Sequence, residues 1–143
     1  MAEPTVLVVD DSPTVRKIVQ MTLQRENIRV ITVGDGLSAL TSVADEMPAV
    51  ILLDIQLPRM DGYQICQIIR KNLQFRQIPI IMLSGKDGLF DKMRGRLAGS
   101  TEYLTKPFDS AELVQTVKKH LVDWEARMPP QHEGMRTRLR RRG

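Results

Sequence analysis

Three aspartates stand at the ends of two strongly apolar runs in the first half of the chain. Asp10 and Asp11 close the run VLVVDD, and Asp54 closes the run VILLD. If the fold brings them together, their carboxylates repel one another and cannot all remain ionised and desolvated without a cation. Mg²⁺ prefers carboxylate and carbonyl oxygens and keeps several of its waters. These residues therefore predict a magnesium site, completed by the backbone carbonyl of Gln56. Asp10 would either bind the ion directly or contact one of its ligands. Such a site leaves room for a phosphate oxygen.

A hydroxyl and an ammonium group follow two later apolar runs. Ser84 closes the run IIMLS, and Lys106 follows EYLT. A hydroxyl can donate a hydrogen bond to a phosphoryl oxygen, and a lysine can pair with its charge. Phosphoryl transfer needs little more from a protein than an in-line nucleophile, a metal ion and fixed positive charge. Asp54 is the favoured nucleophile because it stands alone on its run, whereas Asp10 and Asp11 share the metal.

These residues need a scaffold that gathers the ends of several strands. Strand-like runs alternate five times with segments of helical periodicity, and the runs are 5–9, 29–33, 49–53, 78–83 and 102–104. Such alternation predicts an α/β fold with a five-stranded parallel sheet and helices on both faces. Because ligands bind outside the carboxyl ends of strands in open α/β sheets, we expect the polar residues to meet at one edge.

Capping residues mark where the predicted helices begin. Ser12 and Pro13 predict the start of the first helix, as an N-cap and a first-turn proline. The last helix is expected to span about 110–124, with Asp109 or Ser110 as its cap. An isolated aspartate after a strand usually caps a helix or shapes a turn, and that interpretation is preferred for Asp35, Asp61 and Asp109.

The bulk composition is that of an ordinary globular protein. The chain has 143 residues, 42% of them hydrophobic and 27% charged, which suits one domain with a single core. It shows no apolar run of membrane-spanning length and no secretory signal, so we expect a cytoplasmic protein. The lone Cys66 cannot close an internal disulfide and is expected to pack as a small apolar residue.

The net charge of +4 belongs to the last part of the chain. Residues 1–124 carry equal numbers of basic and acidic side chains, whereas 125–143 hold six arginines and two glutamates. We therefore predict a folded domain over 1–124 and a basic, flexible tail over 125–143. The segment MRTRLRRRG could bind nucleic acid, an anionic membrane surface or an acidic partner. It has no aromatic residue for base stacking, and a solvated disordered tail is the favoured interpretation.

The order and spacing of four motifs resemble the receiver domains of two-component response regulators. The resemblance covers roughly residues 4–123, through the motifs VVDDSPTVR, LLDIQLPRMDGY, IIMLSGKD and YLTKPF. It implies a flavodoxin-like fold with strand order 2-1-3-4-5. SGKDGLFDK together with YLTKPF is especially similar to the single-domain receivers of pilus-based twitching motility and phototaxis, relatives of the chemotaxis regulators.

The resemblance implies a phosphoacceptor and a metal site. Asp54 is expected to accept a phosphoryl group from the phosphohistidine of a histidine kinase. Asp10 and Asp11 are expected to hold Mg²⁺ together with Asp54, aided by the carbonyl of Gln56. Phosphorylation adds about two negative charges at one point. It can switch the protein only by favouring one of two pre-existing conformations.

The resemblance also implies roles for residues around the phosphoryl group. Ser84 is expected to hydrogen-bond the group, and Lys106 to pair with it. Tyr103 matches the switch aromatic of the family, which turns inward when the hydroxyl at Ser84 moves toward the phosphate. The bond between Lys106 and Pro107 is expected to be cis, a form that proline tolerates.

The resemblance also implies that two positions tune how fast the phosphoryl group is lost. They are Gln56 and Lys86, two residues after the phosphoacceptor and two after the hydroxyl residue. Lys86 is equally well interpreted as a solvated loop charge. The readout surface implied by the family is the fourth helix, fifth strand and fifth helix, which includes Tyr103. Phe90 could belong to that surface, but core on the fourth helix is the favoured interpretation.

Other functions are less consistent with the residues. Phosphohydrolases with an aspartyl nucleophile on a similar fold usually carry a second aspartate where this chain has Gln56, which cannot usefully transfer a proton. A turnover enzyme is therefore not expected, and a flavin phosphate would be repelled by the acidic edge unless a metal ion intervened. Nineteen residues follow Trp124, too few for a DNA-binding domain. The output is thus assigned to the receiver surface, to the tail of an adaptor-like binding module, or to another part of a longer protein.

Overall fold

The computed structural model describes residues 3–85 and 88–127. Strands and helices alternate throughout these ranges, as predicted. The strands are β1 (Thr5–Val9), β2 (Arg29–Val33), β3 (Val50–Asp54), β4 (Ile80–Ser84) and β5 (Glu102–Thr105). The helices are α1 (Pro13–Gln24), α2 (Gly36–Glu46), α3 (Gly62–Lys71), α4 (Leu89–Ala98) and α5 (Ser110–Arg127). None of these described helices is long and apolar enough to cross a membrane.

The strands form one parallel sheet in the order β2-β1-β3-β4-β5. Val9 at the end of β1 lies between Val33 of β2 and Leu53 of β3. After β1, the chain places β2 on one side of it and then β3, β4 and β5 on the other side. The predicted parallel sheet and its order are confirmed, as is the flavodoxin-like topology. The reversal falls between β1 and β3, at the kind of position where ligands bind in open α/β sheets.

Helices cover both faces of the sheet and enclose two apolar layers. Because side chains alternate along a strand, Leu7 belongs to the layer beneath α2, α3 and α4, whereas Val8 belongs to the layer beneath α1 and α5. β1, β3 and β4 are buried along their whole lengths, as central strands of a parallel sheet should be. Cys66 is fully buried in the first layer, which confirms its predicted packing role.

Capping side chains begin the helices where they were predicted. Ser12 caps α1, with Pro13 in its first turn. Asp35 and Asp61 cap α2 and α3, each accepting a hydrogen bond from the backbone N–H three residues on. Asp109 accepts one at 2.9 Å from the N–H two residues on, at the start of α5. The interpretation of these three aspartates as local caps is confirmed, so they are not part of the acidic edge.

The end of α5 differs from its predicted position. The helix continues to Arg127, three residues beyond 124. It does so because its packing continues: Trp124 contacts the core layer beneath α5, and Glu125 is buried. The first three residues of the segment predicted as a flexible tail are therefore helical, and 128–143 lie outside the described residues.

The prediction that Phe90 is a core residue is wrong, because 77% of its surface is exposed. Within α4, all of which is described, the buried positions are Gly95 and Ala98. The helix lies close to β5 at these small residues, and a Cβ added to Gly95 would be 3.4 Å from the ring of Tyr103. Phe90 is five residues before Gly95, about 140° around the helix, so it faces solvent.

Candidate functional site

The ends of β1 and β3 bring three carboxylates together. Asp10 directly follows β1, Asp11 begins the turn into α1, and Asp54 is the last residue of β3. Oxygen atoms from the three carboxylates lie within 4.8 Å of one another. Asp10 and Asp54 are buried while Asp11 is exposed, so the cluster is open to solvent on one side.

The Asp10 side chain is held from two sides. It is completely buried, at 0% exposure. Its Oδ1 accepts a hydrogen bond from the Ser12 backbone N–H at 2.9 Å, and its Oδ2 accepts one from Lys106 Nζ at 2.7 Å. A buried charge needs such partners. Both oxygens of Asp10 are therefore engaged within the protein itself.

Lys106 lies between two of the carboxylates. Its Nζ is 2.7 Å from Asp10 Oδ2 and 3.6 Å from Asp54 Oδ2. Its backbone N–H donates to the Ser84 carbonyl at 2.6 Å, and its peptide bond to Pro107 is cis. The turn after β5 thus places an ammonium group at the same edge as the acidic cluster.

Ser84 reaches this edge because β4 pairs in parallel with β3. Asp54 lies beside Leu83, and Ser84 is one residue farther along β4, beside Thr105 of β5. Ser84 is 2% exposed. The four strands other than β2 therefore bring the five residues that the sequence singled out to one edge of the sheet.

The pKa of Asp54 is raised from 3.8 to about 6. Burial is the largest cause, because it disfavours the charged form, and the negative charge of Asp10 adds to it. The ammonium of Lys106 and a hydrogen bond from the Gln56 N–H, at 3.2 Å, act in the opposite direction. At neutral pH the carboxylate is mostly ionised, but in surroundings that disfavour its charge.

The cluster suits a hard divalent cation. Its donors are carboxylate oxygens, which Mg²⁺ prefers, and the negative charge of Asp10 helps to raise the pKa of Asp54 although Lys106 Nζ lies 3.6 Å from Asp54 Oδ2. The exposed side at Asp11 leaves access for retained waters. Gln56 contacts Asp54 through its backbone N–H, and its carbonyl remains a predicted ligand. Among the described residues this is the single group of three or more potential metal-ligating side chains.

Gly62 allows α3 to begin directly against the end of β3. A Cβ at this position would lie 2.5 Å from the Asp54 carbonyl oxygen and 2.8 Å from the Ile55 Cα. The Gly62 N–H donates to the Ile55 carbonyl at 2.8 Å. Only glycine fits so close to backbone, so this residue fixes the loop that follows Asp54.

One described residue with a predicted role, Tyr103, lies outside the acidic cluster. Tyr103 is half-buried on β5, beside Met82 of β4 and against Gly95 of α4. It is therefore placed between the edge of the sheet and α4, and its switching role remains a prediction. Lys86 lies outside the described residues.

A contact that the sequence reasoning missed joins α1 to the end of β1. Arg16 Nη1 donates a hydrogen bond to the backbone carbonyl of Asp10 at 2.6 Å. A signal for it was present, because Arg16 lies one turn after the Ser12 cap within the motif VVDDSPTVR. A long cationic side chain at that place can reach back to the strand end.

Sequence comparison shows the family. Residues 6–118 match the family model of the response regulator receiver domain. Protein PilG of Pseudomonas aeruginosa is 49% identical over 116 residues, which cover 81% of this chain and 86% of the relative.

Solved receiver structures have the same fold. The chemotaxis response regulator CheY4 of Vibrio cholerae matches with a TM-score of 0.78 and 33% identity, covering 83% of this chain and 99% of that chain. The receiver domain of sensor histidine kinase PA1611 from Pseudomonas aeruginosa has a magnesium ion coordinated in its active site cleft. It matches with a TM-score of 0.77 and 32% identity, covering 84% of this chain and 98% of that one. The chain therefore belongs to the response regulator receiver domains, signalling phosphoacceptors that take phosphoryl groups from histidine kinases.

Proposed function

We propose that this protein is a phosphorylatable switch in which Asp54 accepts a phosphoryl group from the phosphohistidine of a histidine kinase. Mg²⁺ is held by Asp10, Asp11, Asp54 and the carbonyl of Gln56. The observation that carries the proposal is the convergence of three carboxylates within 4.8 Å, with an ammonium 3.6 Å from Asp54. Carboxylate nucleophile, metal ligands and fixed positive charge are the parts that phosphoryl transfer requires.

Asp54 is the acceptor because of how the three carboxylates are engaged. Both oxygens of Asp10 already accept hydrogen bonds, and Asp11 is exposed at the outer side of the cluster. Asp54 lies between them and the end of β4. An oxygen of Asp54 attacks phosphorus, the P–N bond of phosphohistidine breaks, and its electron pair goes to the imidazole nitrogen, leaving an aspartyl phosphate. When bound, Mg²⁺ supplies positive charge that offsets the carboxylate and phosphoryl oxygens.

Lys106 and Ser84 bind the transferred group. The hydrogen bond to Asp10 holds the Lys106 ammonium close to Asp54 in advance, so its charge needs little reorganisation when negative oxygens arrive. Ser84 lies at the end of the neighbouring strand, where its hydroxyl can donate to another phosphoryl oxygen.

The aspartyl phosphate is proposed to persist as a signal rather than turn over as in a hydrolase. Gln56 stands two residues after the acceptor, and its amide is a poor general acid or base. Gln56 and Lys86 would tune the lifetime of the aspartyl phosphate by affecting how water reaches it. We therefore propose self-catalysed phosphorylation and dephosphorylation, not turnover of phosphate esters.

The readout is proposed to be the surface formed by α4, β5 and α5. Tyr103 lies in it, and α4 exposes an unusual number of large apolar side chains, namely Leu89, Phe90, Met93 and Leu97. Exposed apolar patches of this kind commonly bind partners. We propose that the target is a cytoplasmic protein of pilus-based motility or taxis. The proposal is based on the motif resemblance and on the 49% sequence identity with PilG. The alternative, an adaptor that binds nucleic acid or an acidic partner through the arginine-rich tail, concerns residues outside the described ranges.

Intact-mass spectrometry tests the proposal. The protein is incubated with acetyl phosphate and either Mg²⁺ or EDTA, alongside Asp54→Asn and the control Asp45→Asn, which alters an exposed aspartate of α2. We expect a Mg²⁺-dependent gain of one phosphoryl group in the wild type and the control, and none in Asp54→Asn. Phosphate release without any gain would indicate a hydrolase. If the wild type neither gained a phosphoryl group nor released phosphate, the phosphoacceptor role would be contradicted.

A further inference from the structure

The Arg16 guanidinium is held between the ends of two strands. One of its nitrogens, Nη1, donates to the Asp10 carbonyl at 2.6 Å. The same nitrogen lies over Gly34, in the turn after β2, where an added Cβ would be 2.8 Å from Nη1 and 3.5 Å from Cζ. The guanidinium thus occupies the space that a side chain at position 34 would take.

The Asp10 carbonyl belongs to the peptide unit that joins Asp10 to Asp11. Because a peptide unit is planar, a hydrogen bond at this oxygen fixes the orientation of the whole unit and the direction in which the chain leaves toward Asp11. The Asp11 side chain is exposed. Its position therefore depends on the backbone that carries it rather than on surrounding packing.

We propose that Arg16 is a positioning residue, which holds the peptide between Asp10 and Asp11 so that the Asp11 carboxylate stays within reach of a cation bound with Asp54. Gly34 contributes by leaving room for the guanidinium. The inference rests on the function proposed above, because it concerns the same acidic cluster. Loss of the Arg16 contact is expected to weaken Mg²⁺ binding about 10-fold, the low end of the range for groups that orient metal ligands.

Charge and position predict opposite results for Arg16. A cation near an acidic cluster repels a second cation, so loss of its charge alone would strengthen Mg²⁺ binding. Loss of positioning would weaken it. The direction of the change in affinity therefore separates the two roles.

Three variants make the test specific. Arg16→Met removes the donor, and Gly34→Ala keeps the donor but places a methyl group where the guanidinium lies. Lys17→Met removes an exposed cation from the next position and is the matched charge control. Isothermal titration calorimetry of the full chain with Mg²⁺ at constant ionic strength should show about 10-fold weaker binding for the first two variants, and less than about twofold change for the control. Gly34→Ala should add little in the Arg16→Met background, because both act through one contact.

Two further readouts distinguish positioning from general damage. In EDTA, amide hydrogen exchange measured by NMR should be faster at Asp11 and Ser12 in both variants, while the amides of β4 exchange as in the wild type. With acetyl phosphate, the phosphorylation rate of Arg16→Met should recover to within about twofold of the wild type when Mg²⁺ is saturating, because a pure loss of affinity is overcome by excess ion.

The outcomes separate this inference from the proposed function. Unchanged or tighter Mg²⁺ binding in Arg16→Met and Gly34→Ala, with normal binding by the wild type, overturns the positioning role and leaves the phosphoacceptor role in place. Faster exchange throughout β4 would show general destabilisation and also overturns it. No Mg²⁺ binding by the wild type would remove the proposed metal site, and this inference with it.

Discussion

Asp54→Asn should stabilise the metal-free protein. Asparagine has nearly the shape of aspartate and keeps an oxygen that can accept the Gln56 N–H, which lies 3.2 Å from Asp54 Oδ1. It removes a charge that burial and Asp10 disfavour. Lys106 keeps its shorter contact, 2.7 Å to Asp10. The substitution therefore changes the charge of the site with little change in its packing.

The raised pKa of Asp54 gives the size and the pH range of the effect. The shift from 3.8 to about 6 corresponds to about 3 kcal/mol. Because the cluster is open to solvent at Asp11, screening reduces the expected gain to about 1–2 kcal/mol. The folded state holds the proton more tightly than the unfolded state, so wild-type stability falls as pH rises through this interval. The gain in Asp54→Asn should be complete above about pH 6 and disappear as pH falls toward 3.8.

Urea unfolding in EDTA at a series of pH values measures this gain. The free energy of unfolding of the wild type is subtracted from that of Asp54→Asn, which cancels groups common to both. Asp45→Asn, exposed on α2, is the control and should differ from the wild type by less than about 0.5 kcal/mol. If Asp54→Asn were equal to or less stable than the wild type above pH 6, or if the difference did not vary with pH, the electrostatic reasoning would be refuted.

Three further substitutions test other contacts by the same unfolding measurement at neutral pH. Gly62→Ala should lose about 2–3 kcal/mol of stability, because its Cβ would lie 2.5 Å from the backbone oxygen that ends β3. Gly85→Ala is its control, because no atom of the described residues lies within 4 Å of the added Cβ. Equal losses in the two variants would contradict the steric argument. Lys106→Met leaves the buried carboxylate of Asp10 without its cation and should lose about 2–3 kcal/mol, so a loss below about 1 kcal/mol would show that this ion pair does not support the fold. Met47→Gly relieves a left-handed residue with φ 44° at the end of α2 and should gain about 0.5–1 kcal/mol, whereas Met47→Ala keeps the unfavourable φ and should gain nothing.

The strand ends were predictable from the sequence because polar residues interrupt strongly apolar runs there. Asp54 and Ser84 each stop such a run, and parallel pairing alone is enough to carry them to one edge of the sheet. The caps Asp35 and Asp61 followed from the same local chemistry. These features depend on a few neighbouring residues, so one sequence contains the information for them.

Long-range packing was not predictable in the same way. The exposure of Phe90 depends on how α4 approaches Tyr103 through Gly95, a choice between helix faces that periodicity in a short helix does not settle. The position of the Arg16 guanidinium depends on Gly34, which lies 18 residues later, in the turn after β2. The three additional residues at the end of α5 depend on the burial of Glu125, a residue that the composition had assigned to a solvated tail.

The most direct test of the central claim is to identify the residue that becomes phosphorylated. After incubation with acetyl phosphate and Mg²⁺, borohydride reduces an aspartyl phosphate to homoserine, and tandem mass spectrometry of peptides locates it. Phosphorylation at Asp54 predicts homoserine at position 54 and at neither Asp10 nor Asp11. Homoserine at Asp10 or Asp11, or none at position 54, would contradict the account.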